Sequence, residues 1–189
     1  MPHSQRFEDA LVYAYRLHAE QVRKGTSIPY LSHLMSVAAL VAEHGGDEDQ
    51  MIAALLHDAV EDQGGRETLD EIRRRFGDKV AAIVESCTDS FATPKPPWRE
   101  RKEAYVRHLA EASSEALLIS AADKLHNARC IVADLRGEGV STFARFKGGR
   151  EGTLWYYGAL ARELRRRVPK ALADELARTV DAMRELGGS

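Results

Sequence analysis

Apolar positions recur with a helical period along almost the whole chain. Residues 5–22 carry Phe7, Ala10, Leu11, Ala14, Leu17 and Val22 close to an i, i+3, i+4 stripe, which predicts an amphipathic helix. The basic stretch Arg23-Lys24-Gly25-Thr26-Ser27-Ile28-Pro29 breaks it. Ser32 suits an N-cap, so the next helix is expected from about His33 to His44, ended by Gly45-Gly46. Asp47 can cap a third helix over 48–62, containing Met51, Ala54, Leu55 and Ala59 and ended by Gln63-Gly64-Gly65. A short helix follows from Leu69 to Phe76, opened near Thr68 and closed by Gly77, and another runs from Asp78 to about Cys87. Thr93-Pro94-Lys95-Pro96-Pro97 is the clearest loop. Helices are expected over 98–112 and 114–135, a break at Gly137 and Gly139, and a final pair over about 150–167 and 169–186, with Pro169 as first helical residue. Period-two alternation is never sustained. The pattern predicts an all-α protein, a compact helical bundle forming one domain over 1–189, with the last two helices packing on a core at about 7–132.

Composition narrows the classes. The formal net charge is −2, from 27 basic and 29 acidic residues, so no global field favours a nucleic-acid polymer or a membrane surface. Anion recognition must come from local clusters. No apolar run reaches the ~18 residues of a membrane span, and the first residues lack a signal-peptide core. Cys87 and Cys130 match no zinc or thioredoxin spacing and read as reduced, buried thiols, which suggests a cytoplasmic protein. Oligomeric state is left open.

The candidate chemistry sits at the end of the third helix, Ala53-Ala54-Leu55-Leu56-His57-Asp58-Ala59-Val60-Glu61-Asp62. Three carboxylates and an imidazole on so apolar an element need a cation or an opening to solvent. His57 and Glu61 are four apart, as are Asp58 and Asp62, so each pair shares a helix face. Neighbours His57 and Asp58 lie about 100° apart around the axis and can still reach one ion. His33 and Asp123 are matching groups elsewhere, Asp123 again interrupting an apolar helix. Two imidazoles and two carboxylates make a mixed N/O donor set suited to Mn²⁺, Fe²⁺, Mg²⁺ or Zn²⁺ with positions left open. Taken singly, each of these residues has a bland reading as a cap, a satisfied core group or a solvated helix end. Their joint occurrence favours a site. His18, His44 and His108 have no such company and are assigned to structure or surface.

The ordered set His33, His57-Asp58 and Asp123 resembles the H…HD…D signature of the HD superfamily of metal-dependent phosphohydrolases. It is more closely similar to the hydrolase domain of RelA/SpoT proteins and to the small stand-alone Mesh1-like hydrolases. The matching stretches are Arg23-Lys24 with Pro29-Tyr30-Leu31-Ser32-His33, then Ala53 to Asp62, Phe76-Gly77-Asp78-Lys79-Val80, Arg101-Lys102, and Ala122-Asp123-Lys124-Leu125-His126-Asn127-Ala128-Arg129. The resemblance implies one divalent ion, Mn²⁺ by preference, held by His33, His57, Asp58 and Asp123. Glu61 and Asp62 would then position or activate the attacking water. It also implies hydrolysis of the 3′-pyrophosphate of guanosine 3′,5′-bis-polyphosphates. Arg23, Lys24, Arg101, Lys102 and Lys124 are the candidate phosphate contacts, and Asn127, one turn after Asp123, a candidate ribose or water contact. Tyr156 or Tyr157 is a candidate for the nucleoside pocket. Departures are Leu34 where the family has proline, Gln63 where threonine is common, and the segment from Asp89 to Trp98. Two rival readings remain: an HD hydrolase of another phosphoester (nucleoside monophosphate, dNTP or cyclic nucleotide), and a non-catalytic nucleotide sensor.

Overall fold

The computed structural model describes residues 4–88, 94 and 96–188. Thr93 and Lys95 of the proline-rich loop expected at Thr93–Pro97 lie outside the described residues, as does most of the departing segment Asp89–Trp98. The described residues form ten α-helices: α1 Gln5–Leu17, α2 Leu31–Glu43, α3 Glu48–Leu56, α4 Ala59–Asp62, α5 Gly65–Phe76, α6 Asp78–Cys87, α7 Trp98–Leu109, α8 Ser114–Glu138, α9 Gly149–Leu164 and α10 Lys170–Gly187. A 3₁₀ segment, Gly139–Arg145, joins α8 to α9. Among the described residues there is no strand, only an isolated bridge between Val22 and Pro29. The all-α expectation therefore holds.

Helix α8 is the axis of the bundle. Helices α2, α3, α6, α9 and α10 all pack against it. Its buried positions run almost without interruption from Ala116 to Leu125, because neighbours enclose it on several sides. Helix α3 is buried as completely: Met51 to Leu56 form an unbroken apolar run in the core. Asp47 opens α3 with a capping box, its side chain accepting from the Gln50 N–H while the Gln50 side chain accepts from the Asp47 N–H. None of the helices among the described residues is long and apolar enough to cross a membrane.

Several expectations change. Helix α1 stops at Leu17, not near Val22. Residues 21–30 turn back on themselves instead: the Arg23 N–H donates to Ile28 O at 2.8 Å and the Tyr30 N–H to Gln21 O at 2.9 Å. Gly25 sits in the turn at φ +74°, a conformation that favours glycine. Ser32 is not the cap of α2. Tyr30 takes that place without a side-chain bond, and the Ser32 hydroxyl donates to Pro29 O. The third helix is interrupted at the His57-Asp58 pair, where Asp58 adopts φ −98° and ψ −5°. The ladder resumes when the Asp62 N–H donates to Asp58 O at 3.0 Å. Nearer the C-terminus, α7 ends at Leu109, α8 continues through Gly137 to Glu138, and Pro169 is the N-cap of α10, just before the first helical residue.

Candidate metal centre

Four elements converge on one point. His33 comes from the first turn of α2, His57 and Asp58 from the junction of α3 and α4, and Asp123 from the middle of α8. His57 Nε2 lies 3.1 Å from Asp58 Oδ2 and 3.8 Å from Asp123 Oδ1. His33 Nε2 lies 3.2 Å from Asp123 Oδ1 and 3.7 Å from Asp58 Oδ2. Ligand atoms of His33, His57 and Asp58 all fall within 4.8 Å of one another.

The nitrogens decide what the cluster can hold. The His57 Nδ1–H donates to Ala54 O at 2.8 Å, and His33 Nδ1 is 2.8 Å from His126 Nδ1. Both Nε2 atoms are buried without a hydrogen-bond partner. A buried polar atom with no partner is costly, and two of them aimed between two carboxylates make a candidate cation position. This donor set fits a divalent metal, with His33, His57, Asp58 and Asp123 as the residues able to hold it.

The electrostatics agree. Burial pushes the carboxyl of Asp58 up, but His57 and, more weakly, His33 outweigh it and keep its pKa below the usual carboxylate range. Burial likewise opposes ionisation of Asp123, but Lys124, His33 and His57 hold its pKa well below normal. At His57, burial is outweighed by Asp58 and Asp123, and the pKa rises; at His33 burial prevails and lowers it. Outer groups hold the candidate ligands in place. The Tyr30 hydroxyl donates to Asp58 Oδ2 at 2.5 Å. Lys124 Nζ donates to Asp123 Oδ2, and the Asn127 amide to Asp123 Oδ1.

His57, Asp58 and Asp123 line a cavity of about 180 Å³, together with Glu61, Asp62, Lys102, Lys124, Asn127, Tyr105 and Tyr156. Lys102 Nζ stands 5.1 Å from the Tyr156 ring and Lys124 Nζ 5.1 Å from the Tyr105 ring. The Tyr156 hydroxyl is buried and without a hydrogen-bond partner. Of the two tyrosines singled out in the sequence, Tyr156 therefore lines the cavity, and Tyr157 is core. Cys87 also touches the cavity, and burial pushes its thiol up to about 12, so it is an inert wall.

Other predicted contacts lie one layer out. Arg101 Nη1 is 3.9 Å from Glu61 Oε1. Arg23 Nη2 donates to Asn127 Oδ1 at 2.6 Å, behind the lining. Lys24 lies over the Phe146 ring, 5.8 Å away, and is not brought to the cavity.

Periodicity missed three groups. Gln21 Nε2 donates to Asp62 Oδ2 at 2.8 Å, and Gln21 Oε1 accepts from Gln63 Nε2 at 2.7 Å. His18, assigned to structure or surface, is buried and has Nδ1 2.6 Å from the same Gln21 oxygen. Gln63, one of the departures from the family pattern, thus belongs to the clamp on Asp62.

An all-helical bundle with two orphaned imidazole nitrogens between two aspartates is the architecture of a helical metal-binding hydrolase domain. Residues 10–154 match the HD domain family, and the chain belongs to it. The chain is 40% identical over 124 residues to the guanosine-3′,5′-bis(diphosphate) 3′-pyrophosphohydrolase MESH1 of Xenopus tropicalis, covering 64% of this chain and 66% of that protein. It is 36% identical over 132 residues to the guanosine-3′,5′-bis(diphosphate) 3′-pyrophosphohydrolase of Aquifex aeolicus (strain VF5), covering 68% of this chain and 18% of that one. The chain thus spans slightly under two thirds of the frog protein and under a fifth of the bacterial one. The solved structure of a metazoan ortholog of SpoT, described as hydrolysing ppGpp, superposes with a TM-score of 0.76 at 27% identity, over 100% of this chain and 98% of that chain. Membership of the HD domain family implies a divalent metal.

Proposed function

We propose that this chain is a metal-dependent phosphohydrolase that removes pyrophosphate from the 3′ position of guanosine 3′,5′-bis(diphosphate). The observation that carries the reading is the pair of buried, unpartnered Nε2 atoms of His33 and His57, facing Asp58 and Asp123 on the floor of a cavity that also presents acids and lysines. The similarity to proteins named for that hydrolysis supports the substrate class.

His33, His57, Asp58 and Asp123 would hold one divalent ion, with Mn²⁺ the first choice for this N/O set. When bound, the ion supplies Lewis-acid polarisation of a phosphoryl oxygen and lowers the pKa of a coordinated water. The chain does the rest. Glu61 and Asp62 line the cavity one turn beyond the ligands and are the groups that accept the proton of the attacking water. Gln21 and Gln63 hold Asp62 in place, and Arg101 lies beside Glu61. Lys102 and Lys124 offer point charges to the pyrophosphate, and Tyr156 offers a hydroxyl that lacks a protein partner. Water adds at the phosphorus carried by the 3′-oxygen and the bond between them breaks. The 3′-oxygen leaves protonated, and pyrophosphate is released. At about 180 Å³ the cavity is smaller than the ~300–1,000 Å³ that encloses a whole ligand, so it suits the reacting diphosphate and leaves the nucleoside outside. A nucleotide substrate of this kind supports the reading of a cytoplasmic protein.

The test is a nucleotide panel with Mn²⁺, read by separate assays for phosphate and pyrophosphate. Pyrophosphate from the 3′ position of ppGpp is expected. Phosphate from nucleoside monophosphates in its place would move the substrate class, and no turnover with metal demonstrably bound would overturn the hydrolase reading.

A further inference from the structure

His33 and His126 meet through the same type of atom. Their Nδ1 nitrogens are 2.8 Å apart, with ring centroids 4.9 Å apart and planes at 43°. A neutral imidazole carries one hydrogen on one nitrogen and a lone pair on the other. In this contact one Nδ1 must donate and the other accept. The choice fixes the far side of each ring.

His33 is fully buried, so water does not compete for its Nδ1. If His33 Nδ1 accepted, its hydrogen would sit on Nε2, pointing between Asp58 and Asp123 where the ion belongs. If Nδ1 donates, Nε2 presents its lone pair there. We infer that His126 is the positioning residue of this centre: its Nδ1 accepts the His33 Nδ1–H, fixing the tautomer and ring angle that make His33 Nε2 a ligand. This rests on the metal-centre reading above.

The two imidazoles are thus oriented by different devices. His57 donates to a backbone carbonyl, Ala54 O, which no substitution removes. His33 depends on a side chain. That side chain sits three residues after Asp123 on α8, so one helix supplies both a ligand and the orienting partner of another ligand on α2. The Cys130 sulfur, 3.9 Å from His126 Nδ1, is a weak second neighbour and no substitute acceptor for His33.

The experiment measures Mn²⁺ binding by calorimetry to the EDTA-stripped 189-residue chain, comparing wild type with His126→Leu and His126→Asn. The leucine leaves the His33 donor unpaired; the asparagine carbonyl can replace the imidazole acceptor. His126→Leu is expected to weaken binding by about 10- to 100-fold, the range for loss of an outer-layer partner. His126→Asn should recover most of that loss. With ¹⁵N-histidine label and Zn²⁺ in place of Mn²⁺, wild type and His126→Asn should show a protonated Nδ1 on His33. Wild-type affinity in His126→Leu, with circular dichroism showing it folded, would overturn the inference alone. Equal loss in the two folded variants would do the same, since only bulk would then matter. A wild type that binds no divalent ion would overturn the metal-centre reading itself, and the inference with it.

Discussion

The Tyr30 hydroxyl donates to Asp58 Oδ2 across 2.5 Å, tying the entrance of α2 to the break between α3 and α4. Burial and the carboxylates of Asp58, Asp123 and Asp62 keep that phenol protonated far above its ordinary range, so it is a permanent donor. Tyr30→Phe removes only the oxygen. It should lower stability by about 1.5–3 kcal/mol, the range for a hydrogen bond to a charged group, and weaken metal binding by about tenfold. Urea denaturation of metal-free protein and Mn²⁺ calorimetry separate the two effects.

Ligands and proton-transfer groups should separate by mutation. His57→Ala and Asp58→Ala should lose bound metal and activity together, whereas Glu61→Ala should keep the metal and lose about 10²–10⁴ in kcat. Metal content of the purified variants, set beside single-turnover rates, checks this. Full activity in Glu61→Ala would remove Glu61 from the mechanism.

The clamp on Asp62 gives a milder effect. Gln21→Ala takes away the donor to Asp62 Oδ2 and the acceptor for Gln63. A fall of about tenfold in kcat is expected with unchanged metal affinity, because no ligand is touched. A loss of metal of the same size would place Gln21 in the ion's surroundings instead.

Acid sensitivity should appear at Asp47. Burial pushes its carboxyl up slightly, but Lys79 and the N–H groups of Gln50 and Asp49 outweigh it, so its pKa falls below 3.8. The folded state therefore favours the ionised form. The resulting stabilisation is fully present above about pH 4, the unfolded value, and disappears as pH drops through the lower folded value. Asp47→Ala should cost about 1 kcal/mol at pH 7 through loss of the cap on α3. Asp47→Asn keeps a cap without the charge. Its deficit in Tm at pH 7 should shrink as pH falls below about 4 and close once pH is below the folded pKa.

The seat of α7 can be tested from a distance. A Cβ at Gly148 would come within 2.6 Å of the Trp98 ring, and one at Gly152 within 2.9 Å. Gly148→Ala should force that ring out at a cost of about 1–3 kcal/mol. Because α7 carries Lys102 into the cavity, KM for the nucleotide should rise while Mn²⁺ affinity stays constant.

The sequence disclosed the helical class and the polar interruptions because burial of an ionised side chain is legible residue by residue. The break at Asp58 was not, since neither glycine nor proline marks it and the apolar period runs through it. Val22 fits the stripe of α1 but pairs with Pro29 in a turn, a tertiary preference that periodicity cannot register. Gln21, Tyr30 and His126 act on groups 41, 28 and 93 residues away. Their roles exist only after folding. Lys24, by contrast, looked suited to phosphate by charge and order along the chain, yet it faces Phe146.

The four candidate ligands come from three stretches of chain, and His33 and Asp123 are separated by 90 positions. An ion at that point would be a reversible staple across the bundle. An unfolded chain offers it no such cage, so occupancy feeds directly into folding: about 2.7 kcal/mol is gained when free metal stands at 100 times its Kd. The abundance of folded protein in a cell would then follow the supply of the metal, independently of any substrate.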